Sequence, residues 1–251
     1  MTDIYSYERA KKIVTVEKVL SALVIVAQIL IIILYHFDVW TSQKKMILAL
    51  GLLPWVRYIY ALIFAKLTCW DEANAKSDDL HIRSTAAWKE THIEFFHVFS
   101  FFQGFILLYD MLTLFCIAQT YKGFSKILIL WGLIWLLMMV IGYFRIEEIN
   151  KGKQMLYYGF MMAIFIGLTV NSTCYYLSSP ATHEECTFVS KSYSHSTKGG
   201  TTYYVTVKLQ DGTEYESMVG SDLYKKAEET KLVTCHREGP FGIEYLRVHG
   251  S

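Results

Sequence analysis

Ser21–Tyr35 reads SALVIVAQILIIILY, fifteen residues without one charged side chain. A helix on the surface of a soluble protein carries an apolar stripe with charges opposite; here every direction around the axis is apolar. Water cannot solvate such a cylinder, and the stretch belongs in a bilayer. Basic residues precede it (Arg9, Lys11, Lys12, Lys18), as in a secretory leader. The run is long, however, and no small-residue cleavage site follows, which predicts a retained first span.

Working outward, a hydrocarbon core about 30 Å thick takes roughly 20 apolar residues to cross as a helix. Five segments qualify: residues 13–35, 46–66, 93–119, 127–144 and 155–177. Tyr35, Trp40, Trp70 and Trp88 sit where interfacial aromatic anchors belong. The side holding the N-terminus carries eleven basic residues against four on the other, outside the tail. Basic loops stay cytoplasmic, so the reading is a cell-membrane protein with its N-terminus in the cytoplasm and its C-terminal end extracytoplasmic. The polar connection over residues 67–92, with a short interfacial helix expected from Ser77, is the natural cytoplasmic docking surface.

After Pro180 the pattern changes to short alternating segments rich in β-branched and aromatic residues: 186–194, 201–210, 213–219, 231–237 and 242–248. Asp211-Gly212 predicts a tight hairpin with both turn positions at positive φ, Lys198-Gly199-Gly200 a looser turn, and residues 221–230 one short helix capped by Ser221. The expected fold is therefore a membrane all-α bundle of about five transmembrane helices over residues 1–178, with a small β-rich domain over residues 179–251, barrel-like or a curled sheet. On the oxidising side, Cys186 and Cys235 would close a loop of about 50 residues, worth very roughly 3–4 kcal/mol in the chain-entropy model.

Ionisable side chains inside spans mark functional or structural sites. Arg57 and Asp110 lie at similar depth in the second and third spans and are expected to pair, with Pro54 freeing helix carbonyls for the guanidinium. His92, Gln103 and Asp110 fall on one helical face, a polar line toward the bundle interior, and Gln28 is a possible partner for it. Glu94 and His97 form an E-x-x-H that, with His92, suggests a metal. Carboxylate di-metal bundles need a second such motif, which the spans lack, so no metal or other cofactor is expected. Gly159, Ala163 and Gly167 line one face of the fifth span as a helix-packing seam. Asn171-Ser-Thr matches a glycosylation acceptor but lies at the membrane end of that span and is read as incidental.

There is no G-x-S-x-G, no H-E-x-x-H and no phosphate-binding glycine loop, which turns the reading away from an enzyme. The net charge of +1, with no basic stripe, excludes nucleic acid as a partner. The expected function is a non-enzymatic polytopic membrane protein presenting a small β domain for partner binding, sensing or regulation. Its partners would be the lipid bilayer, another protein and further copies of itself. The alternative is an oligomeric channel, pore-forming effector or small transporter with a polar path near Arg57 and Asp110. A metal-dependent enzyme using His92, Glu94 and His97 ranks third.

Overall fold

The computed structural model describes residues 7–39, 41–64, 68–69, 93–94, 101–117, 119–145, 151–196 and 200–250. The chain forms two compact units, one of Met1–Asp110 with Leu130–Val170, the other of Met111–Ile129 with Asn171–Ser251. The first is helical. Its elements are α1 (Tyr7–His36), α2 (Gln43–Ile63) and the larger parts of α3 (Phe101–Ile117), α4 (Phe124–Arg145) and α5 (Lys151–Tyr176).

Among the described residues, α1, α2, α4 and the Tyr158–Tyr176 part of α5 are long and apolar enough to cross a membrane. Only 11% of the apolar window of α1, and the same of α4, is buried. Leu23 and Leu30 on α1, and Leu133 and Leu137 on α4, are exposed. A soluble protein would not leave so continuous an apolar surface in water. The third predicted span differs from expectation: Ile93–Glu94 form a two-residue strand (β2) parallel to Thr68–Cys69 (β1), and the helix is described only from Phe101, at 17 residues. The β-branched Ile93, 1% exposed, is held by Ala10, Ile13 and Val14 of α1, a local packing that replaces the expected helical start.

The small residues of α5 meet tryptophans of α4. Trp131 Nε1 donates to the Ala163 carbonyl and Trp135 Nε1 to the Gly159 carbonyl, each at 2.8 Å. A Cβ on Gly167 would stand 3.3 Å from the Trp131 ring, and one on Gly159 3.1 Å from Met139. The Gly159–Ala163–Gly167 face thus admits two indoles, four residues apart on α4, and gives each N–H a helix carbonyl that can accept a second bond. Tyr158 Oη donates to Met138 O at 2.9 Å on the same seam.

The second unit is a curled six-stranded antiparallel half-barrel. Its strands are β3 (Thr120–Lys122), β4 (Thr182–His195), β5 (Thr201–Lys208), β6 (Glu214–Val219), β7 (Leu232–Glu238) and β8 (Glu244–Gly250), in the order β3-β8-β7-β4-β5-β6. The five tail strands lie where alternation places them. β3 is new and comes from the connection between α3 and α4. Strand β4 pairs with β7 through Thr182–Cys186 and with β5 through Thr187–His195, with a register shift between Phe188 and Ser190 that turns the strand from one partner to the other. Val205, Val207, Leu232, Val248 and Ala227 fill the interior, with Cys186, Phe188 and Tyr215 packed around them.

Three local expectations are corrected. Only Gly212 of the Asp-Gly pair takes positive φ (83°); Gly212 N–H donates to Leu209 O at 3.0 Å, and Asp211 Oδ1 accepts from Thr213 N–H at 2.9 Å. This is a three-residue hairpin whose single left-handed position falls on glycine. The helix α6 (Ser221–Lys226) has Gly220, not Ser221, at its N-cap, and the Ser221 hydroxyl lies 3.4 Å from Asp222 Oδ1. Cys186 and Cys235 are free thiols, and the register says why: Cys186 is opposite Leu232 and Cys235 opposite His183. Residues 232 and 235 are an odd number apart on β7, so the two cysteines project from opposite faces of the sheet. Cys186 faces the core, where burial pushes its thiol pKa up.

Gly123 sets the start of α4. Its φ is +81°, a Cβ there would stand 2.9 Å from Gly242 O, and its carbonyl accepts from Lys126 N–H at 2.9 Å. Only glycine satisfies both the dihedral and the close approach.

Candidate functional site

Two constellations stand out, one in each unit. In the helical unit Arg57, 3% exposed at its side chain, donates from Nη2 to Glu17 Oε1 at 3.2 Å. The Ser21 hydroxyl, one turn along α1, donates to the same oxygen at 2.8 Å. Glu17 was not singled out from sequence. The signal was present, since Glu17 and Ser21 are spaced i, i+4 inside the first predicted span and so share a face. Tyr60 Oη reaches the Ile13 carbonyl at 3.0 Å, adding a second polar tie between α1 and α2.

Pro54 acts nearby, on other partners than the guanidinium. A proline lacks the N–H that would bond the carbonyl four residues back. That carbonyl belongs to Leu50, and the fully buried Gln28 fills the vacancy through Nε2 at 3.2 Å. The adjacent carbonyl, Gly51 O, lies 3.1 Å from the Thr169 hydroxyl, which has Phe165 O as a nearer acceptor at 2.8 Å and itself accepts from Trp55 Nε1 at 2.6 Å. The carbonyl that Pro54 frees is therefore satisfied by a side chain of α1.

Asp110 is 1% exposed, and neither carboxylate oxygen has a hydrogen-bond partner among the described residues. Gln103 lies within α3. Its side chain, that of Glu94, and the whole of His92 and His97 fall outside the described residues, as do Ser77, Trp40, Trp70, Trp88 and the Lys198-Gly199 turn.

In the second unit the half-barrel is closed by side chains rather than by a strand ladder. Gln119, just before β3, offers its amide to the edge strand β6: Nε2 donates to Met218 O at 2.8 Å, and Oε1 accepts from Met218 N–H at 3.2 Å and from the Ser217 hydroxyl at 3.0 Å. Its own carbonyl accepts from Leu246 N–H of β8 at 3.0 Å. A carboxamide and a peptide carry the same donor and acceptor, so one side chain imitates a neighbouring strand. Tyr215 Oη donates to Leu246 O at 3.0 Å, and Val248 N–H donates to Ser217 Oγ at 3.4 Å, both crossing from β6 to β8. Burial pushes the Tyr215 phenol up to about 12, which keeps it a donor throughout the physiological range.

Beside this closure lies a cavity of about 380 Å³. Leu114, Phe124, Tyr204 and Met218 supply apolar and aromatic wall, while Gln119, Glu216 and Asn171 supply polar groups. The Asn171 Oδ1 atom is buried and has no hydrogen-bond partner among the described residues. The sequence reading passed over Asn171 as an incidental glycosylation match and Gln119 as the end of a span. An aromatic-walled space with a few polar groups, the Glu216 side chain among them, suits a small molecule that brings a donor. Compared with known proteins, the chain matches no family model, no curated protein and no solved structure.

Proposed function

We propose that this is a polytopic membrane protein, not an enzyme, whose half-barrel unit binds a small donor-bearing ligand or a partner's side chain and so serves sensing or regulation. The cavity beside Gln119, with its aromatic wall and the polar residues Gln119, Glu216 and Asn171 lining it, carries the reading. Apolar helices hold the unit at a bilayer, and the asymmetry of basic residues supports a cytoplasmic N-terminus and an extracytoplasmic half-barrel. Protein partners and self-association belong to the same proposal.

Two variants test it. Ser194→Cys on the exposed part of β4 should react with a membrane-impermeant maleimide in intact cells; reaction only after permeabilisation would put the half-barrel inside. Met218→Trp should fill the cavity and reproduce the phenotype of deleting the whole chain while leaving its amount in the membrane unchanged. A Met218→Trp chain that behaves as wild type would sink the cavity reading.

The channel reading keeps one specific observation in its favour, the buried and unmatched Asp110 carboxylate, since such a group in a span is costly unless used. In liposomes, Asp110→Asn should then cut proton or cation flux at least about tenfold, a change of roughly 1.4 kcal/mol in barrier. Flux equal to that of protein-free vesicles would remove this alternative.

A further inference from the structure

We infer that His183, Cys235 and His249 form a binding site for one thiophilic d10 cation, Zn²⁺ or Cu⁺, on the face of the sheet away from its core. The register builds the site. His183 on β4 is directly opposite Cys235 on β7, and Cys235 is directly opposite Arg247 on β8. His249, two residues beyond Arg247, shares its face. Direct cross-strand neighbours have Cβ atoms about 5 Å apart and diagonal ones about 7–8 Å, within reach of two imidazoles converging on a thiol. One ligand atom of each residue lies within 4.8 Å of the other two. Zn–N bonds near 2.0–2.1 Å and Zn–S near 2.3 Å require ligand atoms about 3.3–3.6 Å apart. Side-chain rotations that draw the atoms in by about 1 Å are enough, and no backbone shift is needed.

Two further features point the same way. The ring nitrogen Nδ1 of His249 lies 2.8 Å from the Gly250 carbonyl, which can only accept, so Nδ1 carries the proton and Nε2 keeps its lone pair for an ion. The His183 and His249 rings stand edge to face, 5.5 Å between centroids at 79°, an arrangement held by no surrounding core because His183 is exposed. Arg247 stands directly opposite Cys235 across the β7–β8 ladder. Arg237, next on the same face of β7, is drawn off by Ser179 O at 3.1 Å and by the Tyr175 ring. Three protein ligands on an open face leave one position for water or an incoming group, and a mixed thiolate–imidazole set selects d10 ions over the hard cations Mg²⁺ and Ca²⁺. The spacing in sequence hides the set, since its members come from three strands and lie 52 and 14 residues apart.

The test uses the untagged full chain in detergent, reduced and stripped with chelator. Zn²⁺ added against a chromophoric competitor, and Cu⁺ delivered in a separate arm, should each load to one ion per chain, and the tighter of the two names the physiological ion. Co²⁺ as a probe should give a thiolate-to-metal charge-transfer band. Cys235→Ser should abolish the band and weaken binding at least roughly tenfold, as even outer-shell changes do. His249→Gln should weaken binding while leaving the near-ultraviolet circular dichroism unchanged, which shows that the variant folds. Cys186→Ser, on the opposite face, should retain the band. Absence of stoichiometric Zn²⁺ and Cu⁺, or binding that survives Cys235→Ser and His249→Gln together, would overturn the site.

Discussion

Replacing Arg57 with leucine should destabilise the helical unit by about 3–5 kcal/mol, because it strands the Glu17 carboxylate in a site where that side chain is only 9% exposed. Among the described residues the Ser21 hydroxyl is then left donating to Glu17 Oε1, and one neutral hydroxyl does not balance a buried negative charge. Removing both charges is a different matter. Glu17→Leu with Arg57→Leu should recover most of the loss, since two leucines need neither desolvation nor a partner, and the measured interaction between the two substitutions should be large. Arg57→Lys should fall between, keeping the charge and losing the planar fork. The measurement is reversible unfolding of the full chain in mixed micelles, followed by tryptophan fluorescence. A cost below about 1 kcal/mol for Arg57→Leu, the value of an exposed pair, would show that Glu17 is hydrated. A double variant worse than either single one would show that the pair is not the unit of stability.

Gln119→Leu should be the most damaging single change in the second unit, at about 2–4 kcal/mol. The side chain satisfies both backbone groups of Met218 and the Ser217 hydroxyl, and leucine matches its bulk while satisfying none of them. Neighbouring bonds along the Val248–Ser217–Gln119 chain lose their polarising partner too, so the loss exceeds that of one hydrogen bond. The direct readout is hydrogen exchange at the Met218 amide, which should accelerate more than that of any other amide in β6, together with a lower thermal midpoint. Unchanged exchange would mean that β6 keeps its edge ordered without Gln119, and that the side chain is an ornament of the closure rather than its clasp.

The contrast between Glu17 and Arg57 shows what the amino-acid sequence exposes and what it hides. Apolar runs of membrane length and the alternation of β4 to β8 are local properties, so the four membrane-length helices and the tail strands could be read directly. Arg57 and Asp110 were visible as ionisable residues in spans, but which carboxylate meets the guanidinium depends on how helices rotate against each other, and nothing local reports rotation. The same holds for Cys186 and Cys235. Both sit in correctly placed strands, and only the register of β4 on β7 puts one inside and the other outside. Thr120–Lys122 is too short to show any alternation, and Gln119 reads as the polar end of a helix. On the Gly159–Ala163–Gly167 face, spacing alone lines up the small residues; that Trp131 and Trp135 of α4 donate to carbonyls there is not a local property.

The strand β3 and the clasp at Gln119 also bear on how the molecule comes into being. The half-barrel needs residues 119–122, made and threaded well before the tail is synthesised, and its closing bonds join positions about a hundred residues apart. The tail therefore emerges with β6 and β8 unsealed and must find the short earlier segment that completes it. A fragment beginning at residue 179 would keep that condition permanently, with two raw edges free to recruit strands from other chains. A chain in which residues 119–122 are not in place thus has nothing to close on, and keeps both of its sheet edges open.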